Sequence, residues 1–240
     1  AYMQGFVDPE YRRRGIGREL MAWQVETGTA ILSAIDNDLP KYLRADEWDW
    51  IEESHRMYRR FGLEPVRYFT AVPKALDGGG ALHSLDAVPS PDEDRSLDAA
   101  ALAAMNSSFA DNWGSTHTDL ESYLHRLSGE GTRLDLSFLA LADGEVIGLS
   151  LNAHFPEDEE LLGRRDGWIE TLGVVKEWRK KGVATALLQA SFNAFVAEGF
   201  THAALGVDTE NPNAALKLYT NQGFQPTHRS ITSQKAIESA

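Results

Sequence analysis

Between residues 136 and 234 the chain alternates strand-like and helix-like patterns of apolar and polar positions. LSFLALADGEVIGLSLNAHF (136–155) holds two apolar runs around Asp143-Gly144, a dipeptide that favours a tight hairpin turn. A strand pattern at 167–175 leads into a helical one from about 181 to 198, which Gly199 ends. HAALGV (202–207) reads as a strand, 212–222 as a helix and 225–234 as a last strand. Upstream, the patterning predicts a strand near 83–88, an alanine-rich helix near 95–109 and a short helix near 118–127. Strands alternating with helices imply a partly parallel α/β sheet.

The first 76 residues repeat part of this text. They predict an edge of strand, a helix from about 15, a strand near 41–45, a helix near 51–61 and a strand near 65–73. Setting Gly15 on Gly182 places Val7 on Val174, Tyr11 on Trp178, and Arg12, Arg13 and Arg14 on Arg179, Lys180 and Lys181. Further on, MYRRFGLEPVRY (57–68) matches LYTNQGFQPTHR (218–229), with Tyr58 on Tyr219 and Gly62 on Gly223. DGGGAL (77–82) reads as a flexible linker. The expected organisation is therefore a partial module at 1–76, a complete module at 83–235 and a tail at 236–240. Counted from His83, Gly182 is residue 100 of its module, whereas Gly15 is residue 15. If the modules are equivalent, the first lacks a front half of about 85 residues.

Composition narrows the chemistry. With no cysteine, disulfides, thiolate metal sites and cysteine nucleophiles are excluded, which suits a reducing cytoplasm. The histidines show no metal-ligand spacing, and no metal is expected. No apolar run approaches membrane-spanning length, and no leader pattern is visible. The formal charge of −13 argues against nucleic acid or an anionic membrane as partner. It suits a cationic acceptor such as an amine, and equally a well-solvated surface.

The repeated stretch carries the most chemistry. In ETLGVVKEWRKKGVATALLQASF a strand runs into basic residues, a glycine and a helix. Glycine permits a tight turn, and the first N–H groups of the helix lack intrahelical partners. With the helix dipole they form an anion site suited to a pyrophosphate. Neither a Walker loop nor a G-x-G-x-x-G fingerprint is present. An ordinary helix start with solvated lysines would explain one copy, but not the repetition.

RKKGVA and RRRGIG fit the R/Q-x-x-G-x-G/A signature, and VDTENPNAALKLYTNQGF (207–224) resembles the N-P-x-A-A-x-x-L-Y-x-x-x-G-F motif, of the GNAT superfamily of N-acetyltransferases. The resemblance implies a GNAT-like mixed, splayed α/β sheet flanked by helices, in tandem, with only the C-terminal half of the fold in the first copy. It implies acetyl-CoA as cosubstrate, its pantetheine arm along the backbone of Leu172, Gly173, Val174 and Val175. The pyrophosphate would lie over Arg179, Lys180, Lys181, Gly182, Val183, Ala184 and Thr185, with Asn211, Asn213 and Tyr219 beside the cofactor. In the first copy the matching positions are Val7, Arg12, Arg13, Arg14, Gly15, Ile16 and Gly17. There Trp50 and Glu52 replace Asn211 and Asn213, so that copy is expected to be a CoA-binding relic or a scaffold.

The implied reaction is acetyl transfer to a primary amine of a small molecule or peptide, by direct attack in a ternary complex. Transfer of a larger acyl group, or a CoA-binding or dimerisation module without turnover, are the alternatives; a homodimer is compatible with each. Tyr219 matches the position from which the family protonates the departing thiolate, though ring packing would also explain it. Glu170 would share a face with Val174 if the strand is regular, making it the first candidate base. His154 is the second. The acidic run 157–160 is expected to be solvated loop, and Phe109 and Trp113 to border the acceptor.

Overall fold

A computed structural model describes residues 1–76, 87–89, 95–210 and 215–237. The linker DGGGAL lies outside the described residues, as do Asn211 and Asn213. The chain forms two compact units, one of Ala1–Ala71, Val207–Pro212 and Thr227–Ala240, the other of Val72–Gly206 and Asn213–Pro226.

In the first unit, α1 (Ile16–Ala34) is followed by β1 (Lys41–Trp48), α2 (Glu52–Arg60) and β2 (Glu64–Ala75). Met21 on α1, Ala45 on β1 and Leu63 beside β2 form its core, with Val25, Met57 and Phe61 packed around them. Each lies on the inward stripe of its element, which is why these short segments hold together.

The second unit opens with β3 (Ala87–Pro89), α3 (Asp98–Phe109) and α4 (Leu120–Leu127), then the hairpin β4 (Phe138–Ala142) and β5 (Glu145–Ala153). Then come α5 (Glu157–Leu162), β6 (Asp166–Val174), α6 (Val183–Ala197), β7 (His202–Asp208) and α7 (Ala215–Asn221). Strands β3 to β6 form an antiparallel meander, and β7 joins β6 in parallel. Helices α3 and α4 cover one face, packing on Leu139, Leu149 and Leu151. Helix α6 covers the other, with Val183 and Leu187 against Ala140 and Ile147. Burial on both faces explains why β5 is buried without alternation, Ser150 and Asn152 included.

The last strand, β8 (Arg229–Ile237), belongs to the first unit although the sequence groups it with the second module. It lies antiparallel between β1 and β2, pairing Lys41 with Ile237 at one end and Phe69 with Ser230 at the other. Lys235 on β8 donates to the carbonyl of Phe61, next to Gly62. Its counterpart in the first copy, Lys74, lies beside Gly223 in the second unit. The strand runs later than the expected 225–234, because the segment containing Pro226 is not part of the ladder.

The acidic run is helical rather than loop. Four carboxylates occupy the first turn of α5, where the helix dipole favours negative charge, and Gly163 closes it in the left-handed conformation.

Candidate active site

The parallel pairing of β6 and β7 is confined to Asp166–His202, Gly167–Ala203 and Trp168–Ala204. Beyond Trp168 the edge of β6 has no paired strand on that side among the described residues of the second unit. On its other side, β6 stays paired with β5 up to Gly148–Val174, and the N–H of Val175 donates to the Ile147 carbonyl at 3.0 Å. Successive backbone groups alternate in direction along a strand, so the N–H and carbonyl of Val174 point to the open edge, as do those of Leu172. Gly173 is pinned from one face: a Cβ there would meet Ser108 at 3.0 Å and Phe109 at 3.1 Å, so α3 packs directly on the strand.

Val174 leads into the glycine loop. Lys176–Trp178 form a single 3-10 turn, Lys180 has φ +61°, and Gly182 has φ +89° at the N-terminus of α6. No atom would crowd a Cβ at Gly182, so the backbone angle, and not space, requires glycine. The Ala186 N–H donates to the Gly182 carbonyl, and no side chain caps the helix. The N–H groups of Val183, Ala184 and Thr185 therefore lie in the first turn, where helical donors have no intrahelical acceptor. That is a donor set suited to a diphosphate. Lys181 sits 4.7 Å over the ring of Trp178. Arg179 is differently engaged: Nε donates to the Val174 carbonyl at 3.3 Å and Nη2 to the Ser108 carbonyl at 2.9 Å, while Nη1 lies 3.6 Å from Asp111.

Glu170 sits on β6, exposed, four residues before Val174. The pairing steps from Leu151–Thr171 to Asn152–Ile169, leaving Glu170 as the unpaired residue of a bulge. Burial nonetheless alternates through it, with Ile169, Thr171 and Gly173 buried, so Glu170 keeps the side of the strand opposite them. Tyr219, on α7, is buried and meets Phe224 edge-on at 5.9 Å. Burial pushes its pKa up to about 12.

His154 lies elsewhere. It follows Ala153, which pairs with Trp168, six residues before Val174. That is roughly 20 Å along the strand. Its Nε2 is 2.7 Å from Glu159, which also pairs with Arg165 at 3.2 Å, and its ring packs edge-on against Phe200. Along the strand His154 therefore stands further from Val174 than Glu170 does. The anchoring of Arg179 on Ser108, and the bulge at Glu170, carry no sequence signal.

The first glycine loop has the same local structure in its own unit. Pro9–Tyr11 form a 3-10 turn, Arg13 has φ +66° and Gly15 φ +89°. Arg12 Nε donates to the Val7 carbonyl at 3.3 Å, and Arg14 stacks 5.1 Å over Tyr11. Arg13 is paired with Glu53 of α2 at 2.5 Å. Among the described residues no group of three or more acidic or imidazole side chains is placed to hold a metal, and no helix is long and apolar enough to cross a membrane.

A splayed, mixed sheet flanked by helices, with an open strand edge running into a glycine loop, matches the GNAT fold. Residues 102–224, just over half of the chain, match the acetyltransferase (GNAT) family, and the chain belongs to that family. Acetyltransferases of this family use acetyl-CoA as cosubstrate. Over 90 residues the chain is 32% identical to N-alpha-acetyltransferase 30 of Schizosaccharomyces pombe, a match covering 38% of this chain and 57% of that protein. The chain thus spans little more than half the length of that curated relative. Among solved structures it resembles a GCN5-related N-acetyltransferase from Sphaerobacter thermophilus, with TM-score 0.74 and 24% identity over 100% of this chain and 73% of that one. It also resembles a tandem GNAT protein from the clavulanic acid biosynthesis pathway, with TM-score 0.65, 17% identity, 98% coverage of this chain and 74% of that one. At these identities the two structures establish the fold alone.

Proposed function

We propose that the chain transfers an acetyl group from acetyl-CoA to a primary amine, with the chemistry in the second unit. The observation that carries this reading is the open edge of β6, whose Val174 amide faces the splay and whose end feeds directly into an uncapped helix N-terminus. The backbone of Leu172 to Val175 would hold the pantetheine arm and the amides from Gly182 to Thr185 the diphosphate, with Lys180 and Lys181 adding positive charge. Acetyl-CoA supplies the activated thioester. The Val174 N–H donates to the thioester carbonyl and stabilises the charge that gathers on its oxygen. Held beside the amine, the two reactants meet without the entropic cost of a bimolecular encounter.

The attacking amine must shed a proton, and Glu170, an exposed carboxylate on the same strand, accepts it directly or through water. Tyr219 is protonated at neutral pH, as any phenol is, and burial pushes its pKa further up, to about 12. A thiol ordinarily ionises near about 8.5, so its thiolate is too weak a base to take that proton outright. The contribution of Tyr219 is then a hydrogen bond to the departing sulfur. The first unit, with a matching loop but Trp50 and Glu52 where the second copy has Asn211 and Asn213, serves as a scaffold or a CoA-binding relic of a tandem, truncated module. A CoA-binding or dimerising protein without turnover is the alternative.

Thiol release from acetyl-CoA, followed across small amines, aminoglycosides and peptides with free N-termini, tests the reading. The relative named for N-alpha acetylation makes peptides the first acceptors to try. Tyr219→Phe and Glu170→Gln should each lower turnover by about tenfold or more while acetyl-CoA binding changes little. Tight acetyl-CoA binding with no acceptor turned over would favour the binding module instead.

A further inference from the structure

The open edge of β6 creates a problem that Arg179 solves. Where two strands part, the backbone groups of the open edge lose their ladder partners, and a bare carbonyl there is costly unless satisfied. The Val174 carbonyl is satisfied by Arg179 Nε at 3.3 Å, which leaves the Val174 N–H for a ligand. The same guanidinium reaches Ser108, in the last turn of α3, at 2.9 Å and approaches Asp111 just beyond it at 3.6 Å. A cation at a helix C-terminus is favoured by the unpaired carbonyls there. Only a planar guanidinium presents donors to two carbonyls at once in a fixed fork.

We infer that Arg179 is a positioning residue that ties the glycine loop to the end of α3, rather than a ligand of the cosubstrate's phosphates. Its side chain is largely covered, at 23% exposure, and the two carbonyls it serves fix the direction in which it points. The phosphate-facing charge is then left to Lys180 and Lys181. Through Arg179, the peptide that follows Val174 and the turn that begins Phe109 to Trp113 are held in one frame. The first copy supplies an internal control. Arg12 makes the Val7 contact, and among the described residues of its unit no helix precedes its loop as α3 precedes that of Arg179.

The inference rests on the acetyltransferase reading, and one set of measurements separates their failures. Acetyl-CoA affinity is measured by calorimetry on the full chain for wild type, Arg179→Lys, Lys180→Gln and Arg12→Lys. Backbone amide exchange is followed at residues 109–113. Arg179→Lys should leave the acetyl-CoA Kd within about threefold and speed exchange at 109–113 by about tenfold or more, since lysine lacks the fixed fork that serves both carbonyls. It should also raise KM for the most active amine of the acceptor screen more than it lowers kcat. Arg12→Lys should leave exchange at 109–113 unchanged. A tenfold loss of acetyl-CoA affinity in Arg179→Lys with unchanged exchange would make Arg179 a phosphate ligand and overturn the inference. Unchanged affinity and unchanged exchange would overturn it too. If wild type itself binds no acetyl-CoA, the transferase reading fails, while the exchange result still decides whether Arg179 ties the loop to α3.

Discussion

The two glycine loops of this chain hold the same backbone path and sit in opposite surroundings. Arg13 and Lys180, Gly15 and Gly182, share their positive φ angles, and Arg12 and Arg179 make the same 3.3 Å bond to a valine carbonyl. The helices that follow diverge at once. Ile16 is 40% exposed and Trp23 61% exposed, whereas their counterparts Val183 and Ala190 are 1% and 5% exposed. In the second unit the β4–β5 hairpin covers that face of α6; in the first, only the opposite stripe of α1, around Met21 and Val25, is packed. Loop geometry therefore follows from a few local residues, while the worth of the helix behind it depends on what covers it.

Packing should separate the copies most. Leu187 is fully buried, so Leu187→Ala should cost about 2 to 5 kcal/mol, the range for cavity-forming core truncations. Its counterpart Leu20 is partly exposed, and Leu20→Ala should cost well under half as much. Urea midpoints of the two variants check this, and equal losses would contradict the contrast.

Alkaline stability comes next, and here the copies should agree. Burial raises the pKa of both Tyr58 and Tyr219 to about 12, from an ordinary value near 10. Between pH 10 and 12 the unfolded chain releases protons that the folded one keeps, so stability falls as pH rises through that window and is fully present below it. Thermal melts in this window should therefore flatten in Tyr219→Phe and in Tyr58→Phe alike.

The smallest effect should separate function from stability. Gly15→Ala and Gly182→Ala each force a side chain into the left-handed region, at about 1 to 2 kcal/mol. Melting should register both about equally. Calorimetry should show weakened acetyl-CoA binding for Gly182→Ala and a much smaller change for Gly15→Ala, because β6 leads into the loop before α6, while among the described residues no strand leads into the loop before α1. Equal losses of affinity would place a working cosubstrate site in both loops.

Much of this was legible in order along the chain. The hairpin at Asp143-Gly144, the helix after Gly182 and the strand at 202–207 all stand where apolar patterning puts them, since short-range preferences govern them. The helix at 157–162 was hidden because its acidic run carries no apolar period; its dipole-matched first turn is the feature that explains it. Glu170 was legible as a candidate, but its bulge depends on how Leu151 and Asn152 register across β5, which no local pattern encodes. His154 shows the reverse, a chemically apt residue that the antiparallel pairing carries to the far end of β6.

The sequence by itself determined the duplicated loop and the helix that follows its glycine, because these arise within a dozen contiguous residues. Tertiary structure alone decided that β8 completes the first unit between β1 and β2, that Tyr219 is buried against Phe224, and that Arg179 reaches Ser108 while Arg12 has no such partner among the described residues. Each of these depends on residues far apart in the chain meeting at an edge or a face. Such meetings are set by which surfaces remain uncovered after the local elements form, and that is a property of the whole fold.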